Sequence, residues 1–291
     1  QQPNAIQHFS APEIISTLEK RRKYFEGEMM DYYRFLSRIV TVVGTNQREQ
    51  FRITKDANGD VHVVTNKIAK DSSISSKIYD RVFMPKVTKE LRIFGLNDDD
   101  RFIVEGSSSP IKIRLIGGSG NDQFINNGTG KKVLAYDASF EKNSFGGATA
   151  FRKIVKANPE VNRYNRLYFK YNLFTPGLAL EYNADDGLFL GPKLEYTSQG
   201  FRKEPYGMRQ VLEATGALKT GSLHFRYDAD FIKALGNADV IIRSDFKAPV
   251  NVTNFFGLGN NTKKDLDAHT IQYVRARYNI INASAYLSYQ L

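Results

Sequence analysis

Ser10-Ala11-Pro12-Glu13 opens a helical period: Ser10 suits a cap, Pro12 the first turn, and Glu13 completes a capping box. Ile14, Ile15, Leu18, Tyr24, Phe25, Met29 and Met30 then recur at roughly helical spacing. A helix is predicted to run to about Met30 or Leu36, packing its apolar side and leaving a charged outer face. After Arg38 the period changes to alternation. Ile39–Val43 is a β-branched run, and Glu49–Thr54 and Val61–Thr65 flank Asn58-Gly59, a hairpin signal. Residues 77–84 and 88–95 read as further strands, with Pro85 between them, where a missing N–H does least harm. Residues 1–36 thus read as a helical segment, 37–145 as a small β-rich domain, and 146–164 as a linker.

From Asn165 the alternation lengthens. Leu223, Phe225, Tyr227, Ala229 and Phe231 alternate with His224, Arg226, Asp228 and Asp230; Val240, Ile242, Ser244 and Phe246 alternate with Ile241, Arg243, Asp245 and Lys247. Ala283, Ala285, Leu287, Tyr289 and Leu291 do the same with Ser284, Tyr286, Ser288 and Gln290. With similar runs near 165–174, 177–183, 187–197, 207–218 and 269–279, about eight strands are expected, several about 10–12 residues long, whereas strands of soluble proteins average about 5–6. Long strands with one apolar face, one strongly polar face and aromatic residues near their ends are what an outer-membrane barrel requires, because bilayer hydrocarbon tolerates only a closed sheet. Short links are expected at Thr175-Pro176-Gly177, Asp185-Asp186-Gly187 and Thr220-Gly221-Ser222, and longer ones at 198–206 and 250–268. The fold class expected is mainly β: a helix, a β-rich domain of solenoid type, and antiparallel barrel strands over 165–291.

Between 91 and 125 the chain repeats itself. Leu91-Arg92-Ile93-Phe94-Gly95, then Asp100-Arg101-Phe102-Ile103, returns as Ile113-Arg114-Leu115-Ile116-Gly117, then Asp122-Gln123-Phe124-Ile125. Lys132–Asp137 is a degenerate third copy. Equal spacing of equivalent strands predicts that they stack. Gly117 to Ile125 resembles the calcium-binding nonapeptide of RTX-like β-rolls, in which glycine turns aim carbonyls at the ion and an aspartate supplies the hard oxygen calcium prefers. The resemblance implies a calcium site with Asp122 and Asp100 as carboxylates and Gly117 and Gly120 shaping the turn. The plainer reading is that Asp and Gly simply make tight turns.

Composition narrows the functions. The chain has 291 residues, no cysteine and four histidines. Disulfides, thiolate catalysis and cysteine metal sites are excluded, and His8, His62, His224 and His269 form no metal motif. The net charge of +10 is spread along the chain. Its densest knot, Lys20–Lys23, is flanked by Glu19 and Glu26, and no nucleic-acid module is present, so nucleic acid is not an expected partner. No apolar run is long enough for a membrane-spanning helix, a test to which a β-barrel is blind. No Gly-x-Ser-x-Gly motif or nucleophile–base arrangement occurs, so no catalytic residue is expected.

Asn254-Phe255-Phe256-Gly257-Leu258-Gly259-Asn260 resembles a segment of barrels of the BamA/TamA (bacterial surface antigen) family. Thr88–Leu96, Asp98–Phe102 and Arg114–Asp122 are similar to a linker domain joining a metallophosphoesterase to a BamA-like barrel in large Gram-negative outer-membrane proteins. The resemblance implies an outer-membrane protein with residues before about 160 in the periplasm. Its expected partners are lipid and client proteins, and its expected role is protein insertion or translocation, or anchoring of an upstream phosphoesterase. The chain carries no metallophosphoesterase motif. It is read as the middle of a longer protein, holding the linker domain and the first part of the barrel. A calcium-stabilised surface binding module is the competing reading.

Overall fold

In the computed structural model, which describes residues 4–289 apart from 131, 169, 260, 261 and 263–268, the chain forms two units, Gln1–Arg166 and Leu167–Leu291. The N-terminal unit opens with α1 (Asn4–Leu36). There follow β1 (Ile39–Val43), β2 (Glu49–Lys55), β3 (Val61–Ile68) and β4 (Ile74–Phe83), then β5 (Glu90–Asn97) and β6 (Arg101–Gly106). β7 (Lys112–Ser119), β8 (Gln123–Asn126), β9 (Val133–Ala138), β10 (Ser144–Gly146) and β11 (Arg152–Lys156) complete it, before a single 3₁₀ turn at Pro159–Val161.

These strands sort alternately into two sheets, one in the order β1-β5-β7-β9-β11 and one in the order β10-β8-β6-β2-β3-β4. The first is wholly parallel, and in the second only the β2–β3–β4 meander is antiparallel. The 22-residue spacing appears directly as register: Glu90 lies beside Lys112 and Arg101 beside Gln123. Val42, Leu91, Ile93, Ile113, Leu115 and Ala135 from the first sheet meet Phe51, Ile53, Phe102, Val104 and Phe124 from the second in one core. Alternation in β2 and β6 sends every second side chain there, as the period of two requires.

Two expectations change in this unit. α1 ends at Leu36, yet Ile15, Leu18 and Phe25 remain 54%, 57% and 61% exposed. The two sheets bury their apolar sides on each other in a core to which α1 contributes no residue. The expected linker at 146–164 contributes β11, which extends the parallel sheet beside β9.

The second unit is one antiparallel meander of six strands. Its members are β12 (Leu173–Asn183), β13 (Gly187–Ser198), β14 (Met208–Ala217), β15 (Leu223–Leu235), β16 (Ala238–Asn254) and β17 (Arg275–Tyr289). Eight alternating runs become six strands because two pairs of runs merge, the first pair in β12 and the last in β17. Among the described residues from 165 to 172 there is no strand, and Thr175-Pro176-Gly177 lies inside β12 instead of forming a link. Pro176 is tolerated because β12 pairs on one side only, with β13. The run near 269–279 joins the last one as β17. Among the described residues the meander does not close, β12 and β17 each having one neighbour. Asn260, Gln290 and Leu291, which belong to motifs read from the sequence, lie outside the described residues.

Asp186, 1% exposed in the β12–β13 turn, ties one end of this sheet together. It accepts hydrogen bonds from Thr220 Oγ1 (2.7 Å) and Ser222 Oγ (3.0 Å) of the β14–β15 turn and from Val252 N of β16. Next to it, Asp185 accepts from Asn254 N at 3.1 Å.

Candidate functional site

Two regions concentrate the chemistry. The first is the row of turns joining the two sheets of the N-terminal unit. Each repeat carries a glycine at the end of its first strand, an acid five residues later, and a phenylalanine two beyond that: Gly44–Glu49–Phe51, Gly95–Asp100–Phe102, Gly117–Asp122–Phe124. The rings form a continuous stack, with centroids 4.8, 5.0 and 4.9 Å apart from Phe51 through Phe102 and Phe124 to Phe145. The acids form a second ladder. Asp100 Oδ1 accepts Glu49 N–H (2.7 Å), Asp122 Oδ1 accepts Asp100 N–H (2.8 Å), and Asn143 Oδ1 accepts Asp122 N–H (2.7 Å). Each side chain thereby satisfies a buried backbone donor of the neighbouring repeat. A parallel outer ladder runs from Asn121 N–H to Asp99 Oδ1 and from Lys142 N–H to Asn121 Oδ1.

The last repeat breaks the pattern. Asp137 occupies the glycine column beside Gly117, and Asn143 occupies the acid column. A Cβ placed on Gly117 would strike Oδ2 of both Asp122 and Asp137, so glycine is needed there for space. Asn162, just after the 3₁₀ turn, donates to Asp137 Oδ1 (2.8 Å) and to the Gly118 carbonyl.

Asp100, Asp122 and Asp137 are at most 2% exposed, and the Oδ2 atom of each has no hydrogen-bond partner. Burial pushes Asp100 up to about 9, and the charges of Asp122, Glu49 and Asp98 push the same way. Burial likewise raises Asp122, with Asp137 and Glu141 adding to it, and raises Asp137, with Glu141 adding to it. Glu90 behaves oppositely. Burial alone would raise it, but Arg114 and Arg92 hold it below the ordinary carboxylate value.

Asp100, Asp122 and Gly117 are thus brought together in adjacent turns. Gly120, at φ +154°, packs against the backbone of Asp98. Asp100 Oδ1 and Asp122 Oδ1 are engaged by backbone N–H donors, and the Oδ2 atoms of Asp100, Asp122 and Asp137 lie against glycine Cα atoms. Among the described residues, no three His, Asp or Glu side chains are grouped to hold a metal.

The second region is the six-stranded sheet, whose two faces differ completely. The register places Phe174, Leu178, Leu180 and Tyr182 on the same face as Leu188, Leu190, Leu194 and Tyr196. It continues through Leu212, Phe225, Tyr227, Ile242, Phe246, Ile281 and Leu287. No Asp, Glu, Lys or Arg lies on this face along 174–182, 188–198, 208–216, 223–231, 240–246 and 281–289. Lys233, Arg275 and Arg277 share its parity only at strand ends. It is open: Leu178 and Tyr182 are 74% and 75% exposed.

The opposite face carries the charges, and they pair across strands. Glu195 meets Arg209 (2.7 Å), Lys193 meets Glu213 (2.9 Å), Arg226 meets Glu213 (2.9 Å) and Glu181 (3.2 Å), and Arg243 meets Asp230 (2.6 Å). His224 is 5% exposed between Glu181 (3.0 Å) and Asp245 (2.6 Å). Lys193, Arg209, Glu213, Arg226, Asp228, Asp230 and Arg243 line a hollow of about 260 Å³ on this face.

Sequence reasoning found Asp100, Asp122 and the two faces but missed Glu49, Asp137 and the His224 cluster. The Gly44–Glu49–Phe51 spacing was a usable signal. The β3–β4 hairpin hides it by setting Glu49 and Asp100 51 positions apart. The partners of His224 lie 43 and 21 residues away and become neighbours only through register.

No helix among the described residues is long and apolar enough to cross a membrane, which says nothing about strands. Comparison with protein-family models, curated proteins and solved structures finds no match for this chain.

Proposed function

We propose that β12–β17 are membrane strands of an outer-membrane β-barrel, with the uncharged face against lipid and the charged face turned to the interior. The N-terminal unit is then a short periplasmic β-solenoid. In this reading the chain is non-catalytic and serves to anchor an upstream domain or to assist client proteins at the membrane, in the manner of the BamA/TamA family. The observation that carries it is the segregation of charge. A soluble sandwich also has one apolar face, but it covers that face with a second sheet, whereas this one is open. The strands run from 10 to 17 residues, enough to cross hydrocarbon when tilted. The paired charges opposite suit an interior in which each ion needs a partner.

Fractionation of the native, full-length gene product tests this. A carbonate-resistant outer-membrane band that shifts on heating is expected. A carbonate-soluble product with no shift overturns the reading.

A further inference from the structure

The last turn of the stack differs from the one before it in what its acid faces. The point that a Cβ on Gly95 would occupy is crowded by Asp100 Oδ2 and by the Gly117 carbonyl oxygen, so Asp100 meets a neutral acceptor. The equivalent point at Gly117 is crowded by Asp122 Oδ2 and Asp137 Oδ2 together. Two carboxyls thus face each other across one glycine, both wholly buried, and neither Oδ2 has a donor. Their other oxygens are engaged. Asp122 Oδ1 accepts Asp100 N–H, while Asp137 Oδ1 accepts Ala138 N–H (2.7 Å) and Asn162 Nδ2 (2.8 Å).

Asn162 belongs to a strap, residues 158–164, whose 3₁₀ turn lies against β9 and β11. Val161 is buried there, Tyr164 lies 5.0 Å from the ring of Phe94, and Asn162 bridges Asp137 to the Gly118 carbonyl. The strap leads into the boundary between the two units at Arg166. The surrounding charges do not neutralise two carboxylates. Asp98, Asp99 and Asp100 lie one turn back and Glu141 one turn on, all of the same sign. Arg114 pairs with Glu90 (3.1 Å) and Arg163 with Glu160 (3.0 Å), while Lys142 and Lys156 are exposed.

We propose that Asp122 and Asp137 share one proton between their Oδ2 atoms, and that this proton keeps the strap seated on the last repeat. Of two carboxyls sharing one buried site, one holds its proton, and that proton satisfies both oxygens. When it leaves, two like charges need water. Asn162 and the 3₁₀ turn cover Asp137, so hydration requires the strap to lift. The strap is therefore closed at low pH and freed as pH rises, which adds its residues to the connection between the units.

Hydrogen exchange of the full chain, corrected for intrinsic rates, tests this at Val161 and Asn162, whose amides donate to the Asn158 and Pro159 carbonyls. Between pH 5 and pH 9 their protection should fall, by up to about tenfold per pH unit once the proton is lost, as linkage to one proton requires. Asp122→Asn and Asp137→Asn each replace the shared proton with a permanent amide N–H, so each should keep the strap protected at both pH values. The double exchange sets donor against donor and should lose protection at both. Strap protection indifferent to pH in the unaltered chain overturns the proposal, as do single variants that keep its pH dependence or lose protection at pH 5. Protection at pH 9 restored by millimolar calcium would assign the pair to a cation and overturn it too.

Discussion

At the scale of the residue, the buried acid ladder reverses the usual effect of pH. Carboxyls raised by burial hold protons in the fold that the unfolded chain has already released. Their contribution to stability is therefore complete below the ordinary value of 3.8 and is lost as pH climbs toward about 9 for Asp100. Hydrogen exchange over residues 90–126, corrected for intrinsic rates, is expected to show stronger protection at pH 5 than at pH 8.5. Asp100→Asn should flatten that difference and stabilise the repeats at pH 8.5 by about 1–2 kcal/mol. Asn143 already occupies the same column, and its Oδ1 accepts the same kind of N–H. A variant that loses protection at both pH values would contradict this account. The glycine and acid of the two central turns, Gly95 with Asp100 and Gly117 with Asp122, were legible in the sequence, because tight turns need those residue types. Asp137 was not, because β9 pairs with β7 at a spacing of 20 residues, where β7 pairs with β5 at 22.

At the scale of the element, alternation carried most of the information. The two-residue period fixes which side chains share a face, and register then puts those faces in line across the sheet. The set of side chains on the uncharged face of the sheet was therefore readable strand by strand. The number of strands was not, because Pro176 and Gly177 look like a break and only their place at a sheet edge makes them harmless. If the uncharged face meets lipid, the cost of a charge depends on the face it enters. Leu190→Arg, from mid-strand β13, should destabilise the folded sheet by about 2–4 kcal/mol. Glu195→Gln, on the same strand but facing Arg209, should cost about 1 kcal/mol or less, since Gln retains an acceptor. Urea titrations of folded material in detergent or lipid, read by the heat-shifted band, would measure both. Equal costs would argue against a lipid-facing surface. The end of the helix was legible, but its start was not, since α1 begins at Asn4 with Ser10 and Pro12 inside it, and neither was its uncovered state: an apolar stripe specifies that something packs on it, not what.

At the scale of the whole molecule, the chain divides between two ways of satisfying a backbone. The N-terminal unit stacks repeats and buries a core between sheets, while the C-terminal unit presents its apolar surface outward. Trypsin should reveal the division. Arg166, exposed at the boundary, should be cut early in membrane preparations, releasing the N-terminal unit while Leu173 onward stays with the membrane. Retention of both parts after cleavage, or release of both, would argue against this division of roles. The repeat stack also has a property of its own. Neighbouring repeats from Glu49 to Asp122 are joined by the same ring-on-ring and amide-to-acid contacts, so length is a free variable. Each copied block of 22 residues would add one strand spacing, about 4.8 Å. The inserted β3–β4 hairpin shows that the joints accept extra chain without disturbing the ladder on either side. The stack is in effect a ruler, graduated in strand spacings, that lineages or engineers can lengthen or shorten to set how far whatever lies at one end stands from the other.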